Sequence, residues 1–213
     1  MSDIFDEVEE DLRKDKAEEL WRKYGKHVIA LGVLIVASTA GYKGWQSFDA
    51  SQNRELVNKF DSAVQLGREG NAQQAIDTLN ALAADGGATY AALSRLQNAA
   101  LMAKGGDREG ASAIYLALEA DTNVEELYRD LASVLYVMQE IDHADTQDLL
   151  TKIAPQTNDD KSWRYTAREL GAVLAIRAGD NTLATDYLNR IIDDQAAPQS
   201  AKLRAQELLA SIS

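Results

Sequence analysis

The sequence predicts an all-α chain: a single N-terminal transmembrane helix, then an α-solenoid of about four helical hairpins, then a C-terminal capping helix. Three observations predict it. Val28–Tyr42 is a run of fifteen residues without a charge. The pattern glycine, four residues, alanine occurs at Gly70 and Ala75, Gly106 and Ala111, and Gly179 and Ala184, with glycine spacings of 36 and 73 residues. Alanine and leucine dominate, there are two prolines and no cysteine, and β-branched runs are rare outside the apolar segment, a composition that favours helix.

The apolar run is shorter than the about 17–25 residues of a spanning helix. Its flanks extend it. Tyr24 and Tyr42 bracket it at a separation of about 27 Å in a helix, and Trp21 and Trp45 at about 36 Å. These distances straddle a hydrocarbon core of about 30 Å, whose interfaces Trp and Tyr favour. Lys26 and Lys43 can lay their stems along the acyl region and lift their ammonium groups to the headgroups. The usable span is therefore 26–48, between an acidic arm at 1–25 and a repeat domain at 49–213.

Lysine and arginine set orientation. Residues 8–27 carry six of them and residues 43–62 only three. The expectation is an N-terminus in the cytoplasm and a C-terminal domain across the membrane. A buried core helix and a cleaved signal peptide ending at Ser38-Thr39-Ala40 are the alternatives. The long acidic stretch before the run is unlike a signal n-region.

The first repeat unit carries Phe60, Ala63, Val64 and Leu66 before its glycine and Ala75, Ile76, Leu79 and Leu82 after it. The second has Leu93, Leu96, Ala99, Ala100 and Met102, then Ala111, Ile114, Tyr115 and Leu118. The last has Leu170, Val173, Leu174 and Ile176, then Ala184, Tyr187, Leu188 and Ile191. Spacings of three and four put each set on one helix face. Each glycine suits the left-handed turn that ends a helix, and Asn71, Asp107 and Asp180 suit the start of the next. The alanine lets the second helix approach the first closely. One such hairpin cannot bury its apolar face alone, so hairpins stack.

A degenerate unit fills the gap between the second and last. Leu127, Leu131, Val134, Leu135 and Met138 mark its first helix, with Thr122 and Glu125 expected as a capping box. A short partner is expected near Asp145–Ile153, then a loop, Ala154–Asp160. After Pro198, Leu203, Leu208, Leu209 and Ile212 predict a solitary closing helix.

Chemistry is sparse. His27 stands at the membrane boundary, and His143 lies in a polar turn beside Asp142 and Asp145. The pairs Asp159-Asp160 and Asp193-Asp194 fall at helix ends, where exposure is the default. Gly105-Gly106-Asp107 and Asp85-Gly86-Gly87 read as turns, without the flanking elements of a phosphate loop. No enzyme activity, cofactor or metal is expected. Beyond residue 42 the chain carries a net charge of about −9, which disfavours nucleic acid.

The period of 36–37 residues and the small-residue positions resemble the tetratricopeptide repeat, about 34 residues in its usual form. The whole arrangement is similar to a bacterial inner-membrane family described as an ancillary subunit of the SecYEG translocon, and to the related cell-division-coordinator repeat domain. The residues that carry this are Phe5-Asp6-Glu7-Val8-Glu9-Glu10-Asp11-Leu12-Arg13, Leu20-Trp21-Arg22-Lys23-Tyr24-Gly25, Gly41-Tyr42-Lys43-Gly44-Trp45, and the closing Arg204-Ala205-Gln206-Glu207-Leu208-Leu209. The resemblance implies an anchored periplasmic scaffold near the secretion channel, with translocon subunits and periplasmic chaperones as partners. A released periplasmic chaperone or regulator, or an envelope-assembly or cell-division role, are the alternatives.

In that register a groove would be lined by Val57, Phe60 and Val64, then Leu93, Leu96 and Ala100, then Thr166, Glu169 and Val173. A carboxylate clamp of Lys and Asn is not expected, because Phe60, Leu96 and Glu169 occupy its positions. Arg68, Lys104 and Arg177 recur at first-helix ends, where they would rim the groove or simply answer the helix dipole. Tyr90, Tyr128, Tyr136, Trp163 and Tyr165 are further contact candidates. Ala37 with Gly41 and Ala40 with Gly44 have the spacing of a close helix contact, which would serve a homo-oligomer or docking in the membrane.

Overall fold

The structure is a computed structural model, and it describes residues 54–212. The acidic arm and the expected span, with Trp21, Tyr24, Lys26, Tyr42, Lys43 and Trp45, lie outside the described residues. Among the described residues no helix is long and apolar enough to cross a membrane.

Nine α-helices and no strand are found among the described residues: α1 (54–68), α2 (Ala72–Asp85), α3 (Gly87–Lys104), α4 (Arg108–Ala120), α5 (Glu126–Glu140), α6 (Thr146–Ile153), α7 (Arg164–Arg177), α8 (Asn181–Ile192) and α9 (Gln199–Ser211). They pair as four hairpins with one helix left over. Successive helices pack on each other, and α3 with α5, α5 with α7 and α7 with α9 also touch. The odd-numbered helices thus form a continuous row. The last helix, α9, stands where the first helix of a fifth hairpin would begin.

The turns repeat one piece of chemistry. Gly70, Gly106 and Gly179 have φ of 88°, 92° and 78°, a region that costs other L-residues about 1–2 kcal/mol. Around each, the following residue's N–H reaches back five positions: Asn71 to the Leu66 carbonyl, Asp107 to Met102, Asp180 to Ala175, all at 2.9 Å. That is the six-to-one bond of a Schellman close. Asp107 and Asp180 then open the next helix, their carboxylates accepting from Gly110 N and Leu183 N at 2.9 Å. Asn71 holds the same place without a side-chain cap.

The capping box expected at Thr122 and Glu125 does not form. Helix α5 begins after an extended Glu125 whose side chain makes no cap bond. The carboxylate of Asp121 takes over the preceding turn, accepting from Asn123 N at 3.1 Å and from Arg95 at 2.9 Å. The degenerate unit is present. The eight residues of α6 are capped by Asp145, and a 3-10 turn at Ala154–Thr157 replaces a further helical turn.

Packing divides into three apolar clusters. Ala63, Ala75, Leu79 and Leu101 centre the first, Leu96, Ala111, Tyr115 and Leu118 the second, and Leu149, Ile153, Leu174, Leu188 and Ile191 the third. Fully burying each such leucine or isoleucine contributes about 1.5–3 kcal/mol. Ala75, Ala111 and Ala184 are completely buried. Close approach is also set by Gly171 in α7, where an added Cβ would stand 2.9 Å from the Tyr187 ring of α8. In α3 the buried face includes Ala92 and Ala99, with Ser94, Asn98 and Leu101 buried too. This helix is sandwiched between α2 and α4 and so has no single apolar stripe.

Candidate protein-interaction surface

Of the residues placed on a groove by repeat register, one is core and the rest are half-buried or exposed. Leu96 is 7% exposed and belongs to the second core cluster. Phe60 is half-buried against the first cluster. Val64 and Val173 are half-buried, while Ala100, Arg68 and Lys104 are exposed. Glu169 receives Arg204 of α9 in a two-pronged pair, at 2.7 and 2.9 Å. Arg177 donates to the Ile141 carbonyl and pairs with Asp142 at 2.5 Å. Glu169 and Arg177 therefore join neighbouring repeats. Repeat register places them on a helix face but carries no information on what the next hairpin presents to them.

Aromatic candidates are also engaged. Trp163 Nε1 donates to the Leu127 carbonyl at 2.9 Å. The Tyr165 hydroxyl donates to Asp194 at 2.8 Å, and the Arg164 guanidinium stacks over the ring at 4.3 Å. Burial pushes the Tyr165 phenol up, and its hydrogen bond to Asp194 does the same. That bond, with the Ala196 N–H, holds the Asp194 carboxyl below its ordinary range.

The main polar feature of the described residues is a strap, 154–163, between α6 and α7. Arg168, 1% exposed, anchors it. Its Nε donates to the Thr157 carbonyl at 2.9 Å, one terminal nitrogen donates to the Arg190 carbonyl at 3.2 Å, and the other to Asp159. Arg190 adds bonds to Thr157 at 2.9 Å and Asp159 at 3.2 Å. Further along, Lys161 pairs with Glu126 and, at 3.1 Å, with Asp130 of α5. These bonds raise the Lys161 ammonium above its usual range and lower Glu126 below its own. Sequence reasoning read the segment as a plain loop. The signal available was Arg168 itself, a cation at helical spacing from Gly171, Ala172 and Ala175 on the face of α7 that is buried.

A second polar contact joins the two middle hairpins. Glu140, 5% exposed, accepts from Ser112 and Arg108 of α4. Among the described residues no group of three or more His, Asp or Glu is placed to hold a metal ion.

Stacked helical hairpins, joined by ion pairs from one repeat to the next, define a helical-repeat interaction module. The chain matches the family model of the tetratricopeptide repeat-like domain over residues 18–206, and it belongs to that family. Comparison with curated proteins and with solved structures gave no match. Domains of this kind generally mediate protein–protein interaction.

Proposed function

We propose that this chain is a non-enzymatic interaction scaffold tethered to a bacterial inner membrane by one span, 26–48. Its acidic arm lies in the cytoplasm and its repeat domain in the periplasm. The observation that carries the tether is the uncharged run Val28–Tyr42 inside its Tyr and Trp brackets, with the Lys and Arg excess on the N-terminal side setting direction. The family match begins at residue 18 and so takes in this segment. By resemblance, the scaffold serves the SecYEG translocon and links it to periplasmic chaperones.

Three experiments test this reading. A reporter active only outside the cytoplasm, fused after Ser213, is expected to be active; activity of a cytoplasm-only reporter at the same place overturns the orientation. The intact protein, crosslinked in membranes and purified, is expected to bring down translocon subunits or periplasmic chaperones. Their absence removes the proposed place of work. The mature N-terminus separates the anchored form from a released one: a start at Gly41 means release.

A further inference from the structure

The eight residues of α6 fall four to six short of α2, α4 and α8, about 6–9 Å of helix. The strap 154–163 follows directly and crosses from the third hairpin to the fourth, its Gln156 and Thr157 buried. On the α5 side Lys161 pairs with Glu126 and Asp130, and Trp163 Nε1 donates to the Leu127 carbonyl. All three contacts fall on the first turns of α5. About two turns further along, Val134 and Val137 join Leu149, Ile153, Ala167 and Leu174 in the core that the last two hairpins share. The first half of α5 also serves the second cluster, through Ala132 and the half-buried Tyr128 and Leu131. One helix thus belongs to two cores, and the strap grips it at the end where they divide.

We propose that the strap is a conformational brace, whose Lys161–Trp163 end pins the start of α5 so that the third and fourth hairpins tilt as one body. Stacked hairpins touch only their neighbours, and the small rotation between them sets the curvature of the stack. A helix clasped at one place pivots about it, and a second clasp two turns away fixes the angle. The two ends of the strap are unequally secured. Arg168 holds the Thr157 end from inside the core. At the other end the Lys161 side chain is 18% exposed and that of Glu126 65%, so salt reaches this pair. Its release alone frees the start of α5 to move with the second hairpin, while the strap stays on α7 and α8. The brace is independent of the membrane anchor, which the reporter fusion tests.

The test uses the full chain purified in detergent. It has no cysteine, so Ala100→Cys in α3 and Gln206→Cys in α9, both exposed positions, take one pair of spin labels. Lys161→Gln removes the charge and keeps a donor for the buried Asp130. In that variant the distribution of label-to-label distances is expected to broaden or shift, and Lys161→Arg is expected to restore it. Hydrogen exchange is expected to rise about tenfold at 126–134 and in the strap, with α7 and α8 unchanged. About 1 M sodium chloride is expected to have the same effect on the parent chain, and none further on Lys161→Gln. An unchanged distance distribution, unchanged exchange at the start of α5, a failure of Lys161→Arg to restore the parent, or a parent that does not respond to salt overturns the proposal. So does a rise in exchange spread evenly over α2 to α8, which marks a general loss of stability.

Discussion

The guanidinium of Arg168, 1% exposed, donates to the carboxylate of Asp159, which is 87% exposed. A buried cation is thus held by a surface anion, with the carbonyls of Thr157 and Arg190 completing its bonds. The charge is stabilised by hydrogen bonds more than by the pair itself. Through it the strap between α6 and α7 is fastened to both helices of the last hairpin.

Removing Arg168 therefore differs from removing its partner. Arg168→Ala takes a donor from the Arg190 carbonyl, leaves the Thr157 carbonyl with its bond from Arg190 alone, and empties a large buried volume. A loss of about 2–5 kcal/mol is expected from the emptied volume and the lost bonds, seen as a fall of roughly 10 °C in thermal midpoint. Asp159→Asn is expected to cost much less, because the carbonyl partners remain and the lost carboxylate is in water. Equal losses for the two variants would falsify this account.

The turn glycines make a second case. Gly106→Ala and Gly179→Ala add a side chain where nothing lies within 4 Å, so any cost arises from φ and not from a clash. About 1 kcal/mol each is expected, with Asn at the same places costing less. Urea unfolding measures it. A neutral alanine at both positions would mean that the left-handed turn is not needed.

Leu96 and Ala100 discriminate core from surface within one helix. Leu96→Ala is expected to cost about 2–5 kcal/mol, while Ala100→Leu stays within about 0.5 kcal/mol. A groove residue at position 96 would instead lose binding and keep stability, so a denaturation curve settles which it is.

Stability is expected to fall on acidification. Asp121 is held below its ordinary value of 3.8 chiefly by its bond from Arg95, Asp159 by Arg190 and Arg168, and Asp194 by Tyr165. For each, the unfolded chain takes up protons before the folded one as pH falls. The stability these groups add is present above the ordinary carboxylate range and is lost progressively below it. Thermal midpoints between pH 6 and pH 3 read the loss, which Arg95→Gln should make shallower. An unchanged acid limb in Arg95→Gln removes Asp121 from the account.

The turns were legible because their chemistry is local. A left-handed glycine, a backbone bond reaching back five residues and an aspartate cap lie within nine residues of sequence, Met102 to Gly110, so Gly106 and Asp107 declare themselves without the rest of the fold. The short α6 was legible for the same reason, through Asp145. The α5 start was not, because Arg95 of another hairpin draws the Asp121 carboxylate and the turn settles around that bond. The fate of Leu96, Glu169 and Arg177 also depended on neighbours far along the chain.

By itself the sequence determined the helical class, the hairpin period, the turns and the closing helix, because each follows from side-chain spacing and backbone preference over a few residues. Only the tertiary structure decided which faces are core and which are free. A helix such as α3 that is covered on two sides carries no single stripe to read. The partners of Arg168, Glu140 and Glu169 come from helices brought close by stacking, and burial is a property of the stack, not of any one helix.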